Sequence, residues 1–230
     1  MKNNNDIKFF IDGFPRSGTH FLVFIMEQSF PDIFTEKYKK PDHQALSLYN
    51  FKEKYDIAVI SIRNPLQSIP SYIKLNNLVS ESNLERFDED IVLRLIMHNK
   101  LYTKAIIKNI KKLNVFQFDY LINKGNEIPG LIKNKYNLKT NLKEIDLDSC
   151  KKHMEENEYL GVAKSLAPNG LHIAKENAKI IKIPVLPNNI TSSSNFLEKI
   201  NNNKKLNMHI EECFMLYNDA LDLMSNGYYI

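Results

Sequence analysis

Short apolar runs alternate along the first half of the chain with longer segments whose apolar residues recur at helical spacing. Ile7 to Ile11 has strand length. Residues 56–62, Asp-Ile-Ala-Val-Ile-Ser-Ile, form a β-branched run that predicts a buried strand, and Leu113 to Phe118 predicts another. Between these runs the pattern predicts a helix over 18–29, ended by Phe30-Pro31-Asp32, and a short helix from Ala45 to Phe51. Ile33 to Tyr38 reads as a short strand. Pro65 can open a helix, which Pro70 should make irregular. The clearest helix runs from about Asp88 to Lys112, with Ile91, Leu95, His98, Tyr102, Ala105 and Ile106 near helical spacing. Further helices are expected over Glu127 to Tyr136 and Met208 to Met224. Ser80 to Asp90 reads as a polar loop or lid, Asn188 to Ser194 as a hydroxyl-rich loop, and Asn201 to Lys205 as a polar turn. Residues 139–190 show no clear period, and Pro168-Asn169-Gly170 marks a turn there. The alternation predicts an α/β fold: a single domain over 1–230 with a central parallel sheet flanked by helices. In such sheets ligands bind beyond the carboxyl ends of the strands.

Composition narrows the partners. The chain has 230 residues, enough for one domain with an ample core, and 43% of them are hydrophobic. The net charge of +4, from 31 basic and 27 acidic residues, suits an anionic small ligand but is too weak and dispersed to argue for nucleic acid. Cys150 and Cys213 have neither CxxC nor metal spacing and read as reduced packing thiols. No signal peptide is visible, and no apolar run approaches the ~20 residues that cross a bilayer. No membrane partner is expected. The sequence leaves the oligomeric state open.

The chemistry concentrates after the first apolar run. Gly13-Phe14-Pro15-Arg16-Ser17-Gly18-Thr19-His20 is a glycine-bounded loop between a predicted strand and a predicted helix. That arrangement aims loop N–H groups and a helix N-terminus at one anion. The Gly-x4-Gly spacing is that of a nucleotide P-loop, G-x-x-x-x-G-K-[ST]. Thr19 stands where the lysine would be, and His20 where the magnesium-binding hydroxyl would be. The loop's fixed cation is Arg16. Gly13 and Gly18 answer backbone needs.

The predicted strand 56–62 runs into Arg63-Asn64-Pro65, and Ser71-Tyr72 follows. Together, P-R-S-G-T and R-N-P-x5-S-Y resemble the sulfotransferases that use 3′-phosphoadenosine 5′-phosphosulfate (PAPS). The resemblance implies a P-loop-like sulfotransferase fold and sulfuryl transfer to a hydroxyl or amine of a small-molecule or carbohydrate acceptor. The product would be 3′,5′-ADP, with no metal. It implies that Pro15, Arg16, Ser17, Gly18, Thr19 and His20 hold the 5′-phosphosulfate. Arg63 and Ser71, eight positions apart as in the family, would hold the 3′-phosphate. His20 departs from the family's hydroxyl and either donates from its ring or points elsewhere. Ser192 and Ser193 lie where the family closes a late loop over the 3′-phosphate, although a solvated polar loop reads equally well. The chain lacks the Golgi anchor and stem of many family members, so a cytoplasmic enzyme is expected.

Arg16 is the first candidate for catalysis, because a preplaced cation stabilises charge on the leaving oxygen. The acceptor must also lose a proton. Several family branches place the base in a K-x-H sequence just after the second strand. Lys40-Pro41-Asp42-His43 is one residue longer, which makes His43 a candidate and Glu36 the alternative. His98, His153, His172 and His209 read as structural or solvent-facing. Asp119 and Tyr120 resemble a family segment that lines the adenine pocket, and Asp119 reads equally as a helix cap. Two rivals remain: a P-loop small-molecule kinase, and a non-catalytic nucleotide-binding protein that kept the fold.

Overall fold

A computed structural model describes residues 7–34, 41, 43–79, 87–156, 159–162, 164–166, 172–174, 180–183 and 193–225. Its sheet contains Phe9–Gly13 (β1), Ile57–Ile62 (β2) and Asn114–Gln117 (β3), in the order β1-β2-β3 with both pairings parallel. Every residue of β1 and β2 is buried. Helices cover both faces, which is why these strands are near-continuous apolar runs rather than alternating ones.

The two-residue period of the strands divides the core in two. Phe10, Ala58, Ile60, Ile62 and Val115 face one side. There they meet Ala45–Tyr49 (α2), Pro65–Val79 (α3), Glu89–Asn109 (α4), Ser193–Asn202 (α8) and Lys204–Leu223 (α9). Phe9, Ile11, Ile57, Val59 and Phe116 face the other side. Their partners are Thr19–Ser29 (α1), Phe118–Lys124 (α5), Ile128–Tyr136 (α6) and Leu147–Glu156 (α7). Asp88 caps α4 by accepting from the amides of Asp90 and Ile91, and Asn203 caps α9 by accepting from those of Lys205 and Leu206. The Cys213 thiol on α9 donates to the Ile96 carbonyl of α4, and Lys100 on α4 pairs with Glu212 on α9.

The expected class and layering hold, with local differences. β1 starts at Phe9 and runs on through Asp12 and Gly13, which pair with Ile60 and Ser61. The apolar run therefore underestimates the strand. Ile33 and Phe34 form a turn on the Phe30 carbonyl rather than a strand, and the rest of 33–38 lies outside the described residues. α3 continues through Pro70. β3 stops at Gln117, and α5 starts at once with Phe118, which had been read as strand. Residues 139–190 hold α7, which has no counterpart in the sequence reading. They also hold Tyr159–Val162 (β4), Lys164–Leu166 (β5), His172–Ala174 (β6) and Ile180–Ile183 (β7). β4 pairs antiparallel with β7, and β5 with β6. Ser193 and Ser194 open α8 rather than ending a loop. Of the 80–90 loop, 80–86 lies outside the described residues, and α4 begins at Glu89.

Candidate functional site

The loop from β1 to α1 is built by backbone constraint. A Cβ on Gly13 would overlap the side-chain oxygens of Ser17, Thr19 and Ser61, so the close approach admits glycine alone. Gly18 has φ of 84° and is the N-cap of α1, and a side chain there would also strike Leu121 and Phe118. No side chain caps α1, so the amides of its first turn are left to the loop. Pro15 is buried in the turn.

The loop's hydroxyls turn inward. Ser17 and Thr19 are buried, and together with Ser61 from β2 they form a hydroxyl cluster at 3.0–3.3 Å. Ser17 Oγ also donates to the Phe14 carbonyl at 2.6 Å.

Arg16 has φ of 68°, a left-handed conformation that is uncommon without glycine. Its Nε donates to Ser71 Oγ on α3 at 3.1 Å. Arg63, at the end of β2, donates from Nη1 to the Arg16 carbonyl at 3.1 Å and lies over the Phe118 ring, 4.2 Å from its centroid. The two motifs, 55 residues apart at Arg16 and Ser71, therefore meet beyond the carboxyl ends of β1 and β2. Burial pushes the Arg16 guanidinium down to about 10, and the charge of Arg63 adds to the effect. Burial also lowers Arg63 to about 10, partly offset by Asp119. Both are cations at neutral pH, held close in a half-dry place. Arg16 is thus a partly buried residue and not an exposed turn arginine. Asp119 lies in the first turn of α5 rather than at its cap and acts on Arg63. Asn64, just before α3, accepts from the Leu66 amide at 2.9 Å.

His43 sits beside the start of the loop. Its Nδ1 is 2.6 Å from the Gly13 carbonyl and 3.3 Å from Asp12 Oδ1. Asp12 Oδ1 also accepts from the amides of Gly13 at 2.8 Å and His43 at 3.2 Å. His98 Nε2 on α4 donates to the His43 carbonyl at 2.8 Å. His20, half-buried in the first turn of α1, has its ring 6.1 Å from that of His43. Burial pulls the His98 imidazole below its ordinary value.

The structure thus gathers Arg16, Arg63 and Ser71 into one group and His20 and His43 into another. Ser193 lies at the start of α8, while Ser192 and Glu36 lie outside the described residues. Asp12, which the sequence reading does not single out, joins the histidine group, and His98 supports it through the His43 backbone. A carboxylate inside an otherwise apolar strand was the available signal for Asp12, because a buried charge needs partners. Among the described residues, no group of three His, Cys, Asp or Glu side chains could hold a metal ion. None of their helices is long and apolar enough to cross a membrane.

No protein-family model matches the chain, and no curated protein matches it in sequence. Among solved structures it is similar to the mouse sulfotransferase SULT7A1 complexed with PAP. The TM-score is 0.57 with 12% sequence identity, and the match covers 99% of this chain and 90% of that one. The three-stranded parallel sheet between two helical layers is therefore a sulfotransferase-like fold.

Proposed function

We propose that the protein is a PAPS-dependent sulfotransferase that sulfates a hydroxyl or amine of a small-molecule or glycan acceptor. The observation that carries this reading is the meeting of the two motifs at Arg16, Arg63 and Ser71. Two guanidiniums are held partly buried beside a serine hydroxyl, next to the uncapped start of a helix. This arrangement fits a ligand with two anionic groups, because each buried cation gains by a charge-assisted hydrogen bond. The similar mouse enzyme, complexed with PAP, supports the same class of ligand.

PAPS supplies the sulfuryl group and leaves as 3′,5′-ADP. The first-turn amides of α1 with Arg16 would hold its 5′ end, and Arg63 with Ser71 its 3′-phosphate. Ser192 and Ser193 remain proposed contacts to that phosphate. Arg16 neutralises charge that grows on the departing oxygen. His43, beside the first glycine of the loop, takes the acceptor's proton, and Glu36 is the alternative base. Thr19 and His20 hold the places of the P-loop lysine and metal hydroxyl, which disfavours the kinase reading. A cytosolic location belongs to the same proposal and is checked by cell fractionation.

Titration calorimetry with 3′,5′-ADP, against ATP plus Mg²⁺, tests the assignment. Tight binding of 3′,5′-ADP that EDTA leaves unchanged is expected. A preference for ATP with strict Mg²⁺ dependence would favour a kinase.

A further inference from the structure

Asp12 occupies an unusual place. It is wholly buried at the end of β1, on the same strand face as Phe10, toward α4. Its Oδ1 accepts from two amides, and its Oδ2 has no hydrogen-bond partner. A buried carboxylate that is not fully compensated is costly, so a cation-capable neighbour is worth much to it. His43 is that neighbour, at 3.3 Å.

The backbone of His43 is fixed from two sides. Its φ of 58° lies in the left-handed region, which costs energy for a residue with a side chain. Asp12 holds its amide and His98 holds its carbonyl. Its ring is fixed as well. The Gly13 carbonyl can only accept, so at 2.6 Å the Nδ1 atom must carry a hydrogen. Nε2 is then the ring's proton acceptor when the imidazole is neutral.

We propose that Asp12 is a positioning residue that stabilises the His43 imidazolium and, beside the Gly13 carbonyl that holds the Nδ1–H tautomer, keeps the ring in place, with His98 pinning the His43 backbone, so that Nε2 serves as the base. The inference rests on the sulfotransferase reading and adds to it. The relation follows the logic of an Asp–His pair, in which a buried carboxylate sets the tautomer and favours the charged ring. The proton moves from the acceptor's O–H or N–H to His43 Nε2, and the freed electron pair forms the new bond to sulfur. The sulfur's bond to the 5′-phosphate oxygen breaks, and its electron pair leaves on that oxygen. Among the described residues, the titratable groups set against His43 are Asp12 from β1, His20 from α1 and His98 from α4.

Nitrogen-15 NMR of the imidazole rings tests this on the whole chain, with His43→Gln assigning the signal. Wild-type His43, when neutral, should show a protonated Nδ1 and an unprotonated Nε2, and the reverse tautomer would overturn the proposal. In Asp12→Asn the His43 titration should move to lower pH, because the carboxylate charge is lost while its shape remains. An unmoved midpoint in a folded variant overturns the charge role. If Asp12→Asn does not fold, the wild-type midpoint decides: a His43 titration no higher than that of an unperturbed imidazole overturns the charge role. Calorimetry with 3′,5′-ADP on the same sample separates the two readings. The wrong tautomer with the nucleotide bound sinks the Asp12 assignment alone. The right tautomer with no nucleotide binding sinks the sulfotransferase reading, and any catalytic purpose for the pair goes with it.

Discussion

The loop between β1 and α1 has an arginine side and a histidine side, and the two are built on opposite electrostatic terms. On the first, Arg16 and Arg63 place two cations in a partly dry spot where both lose solvation and the charge of Arg63 further disfavours that of Arg16. On the second, a buried carboxylate at Asp12 lies beside two imidazoles, His43 and His98. On the arginine side Asp119 offsets only part of the loss at Arg63, and an anionic ligand supplies the rest. The histidine side already holds negative charge and gains by taking up a proton. The two halves of a sulfuryl transfer need that division: one set of groups to neutralise the departing oxygen, another to receive the acceptor's proton.

The sharpest way to break the comparison is to remove one side at a time. His43→Ala should lower turnover by about 10²–10⁴-fold and leave 3′,5′-ADP affinity unchanged, which steady-state kinetics and calorimetry would read together. A variant with lost nucleotide affinity would show that the two sides are not separate. Arg16→Ala should lower kcat by about 10²–10³-fold. It should also weaken nucleotide binding, because its Nε reaches Ser71. A normal kcat with weak binding would make Arg16 an anchor only.

The arginine side can be divided further. Binding of 3′,5′-ADP should exceed that of 5′-AMP by about 1.5–3 kcal/mol, the worth of a lost charge-assisted contact to Arg63 and Ser71. Equal affinities in a competition titration would remove the second motif from the site.

Stability gives smaller effects of opposite sign on the two sides. Arg16→Gly removes a partly buried cation and relieves a positive φ, so the ligand-free protein should gain about 1 kcal/mol, or roughly 2–4 °C in Tm. A lower Tm would mean that the Ser71 contact outweighs both. His98 should contribute a mild acid sensitivity. Burial lowers His98, so below its ordinary 6.5 the unfolded chain takes up a proton that the folded chain refuses. Stability should fall with pH from there, and His98→Gln should flatten that part of the curve in urea titrations at several pH values.

The arginine side was largely legible in the sequence, because loop and strand-end residues there have fixed spacings. Gly13, Gly18, Arg63 and Ser71 could be placed before any coordinates, since positive φ, close approach and an eight-residue interval leave marks on sequence. The histidine side was only half legible. His43 follows a local pattern, but its partners come from β1 and from α4, with His98 55 residues away, and no local period announces such a meeting. Asp12 is not marked in the sequence because the apolar run ends at Ile11, while the ladder to Ile60 and Ser61 carries the strand two residues further. α5 and α7 were missed for other reasons. α5 follows β3 with no intervening turn residue, and α7 begins in a polar segment with little apolar content.

The inward hydroxyls beneath the loop have a directional consequence. Each of Ser17, Thr19 and Ser61 has a single proton to give. Ser17 gives its own to the Phe14 carbonyl, so it can only receive from the other two. The protons of Thr19 and Ser61 can then run in series into Ser17, or each can go to Ser17 directly, and in either case the Ser17 proton goes out to Phe14. The wire ends on the backbone, and in this arrangement none of its protons is offered outward. An anion in the loop would meet amides and guanidiniums, neither of which titrates near neutral pH. Any change of nucleotide affinity with pH would then report the ligand's own phosphates or the His20 ring in the first turn of α1, and His20→Gln separates the two.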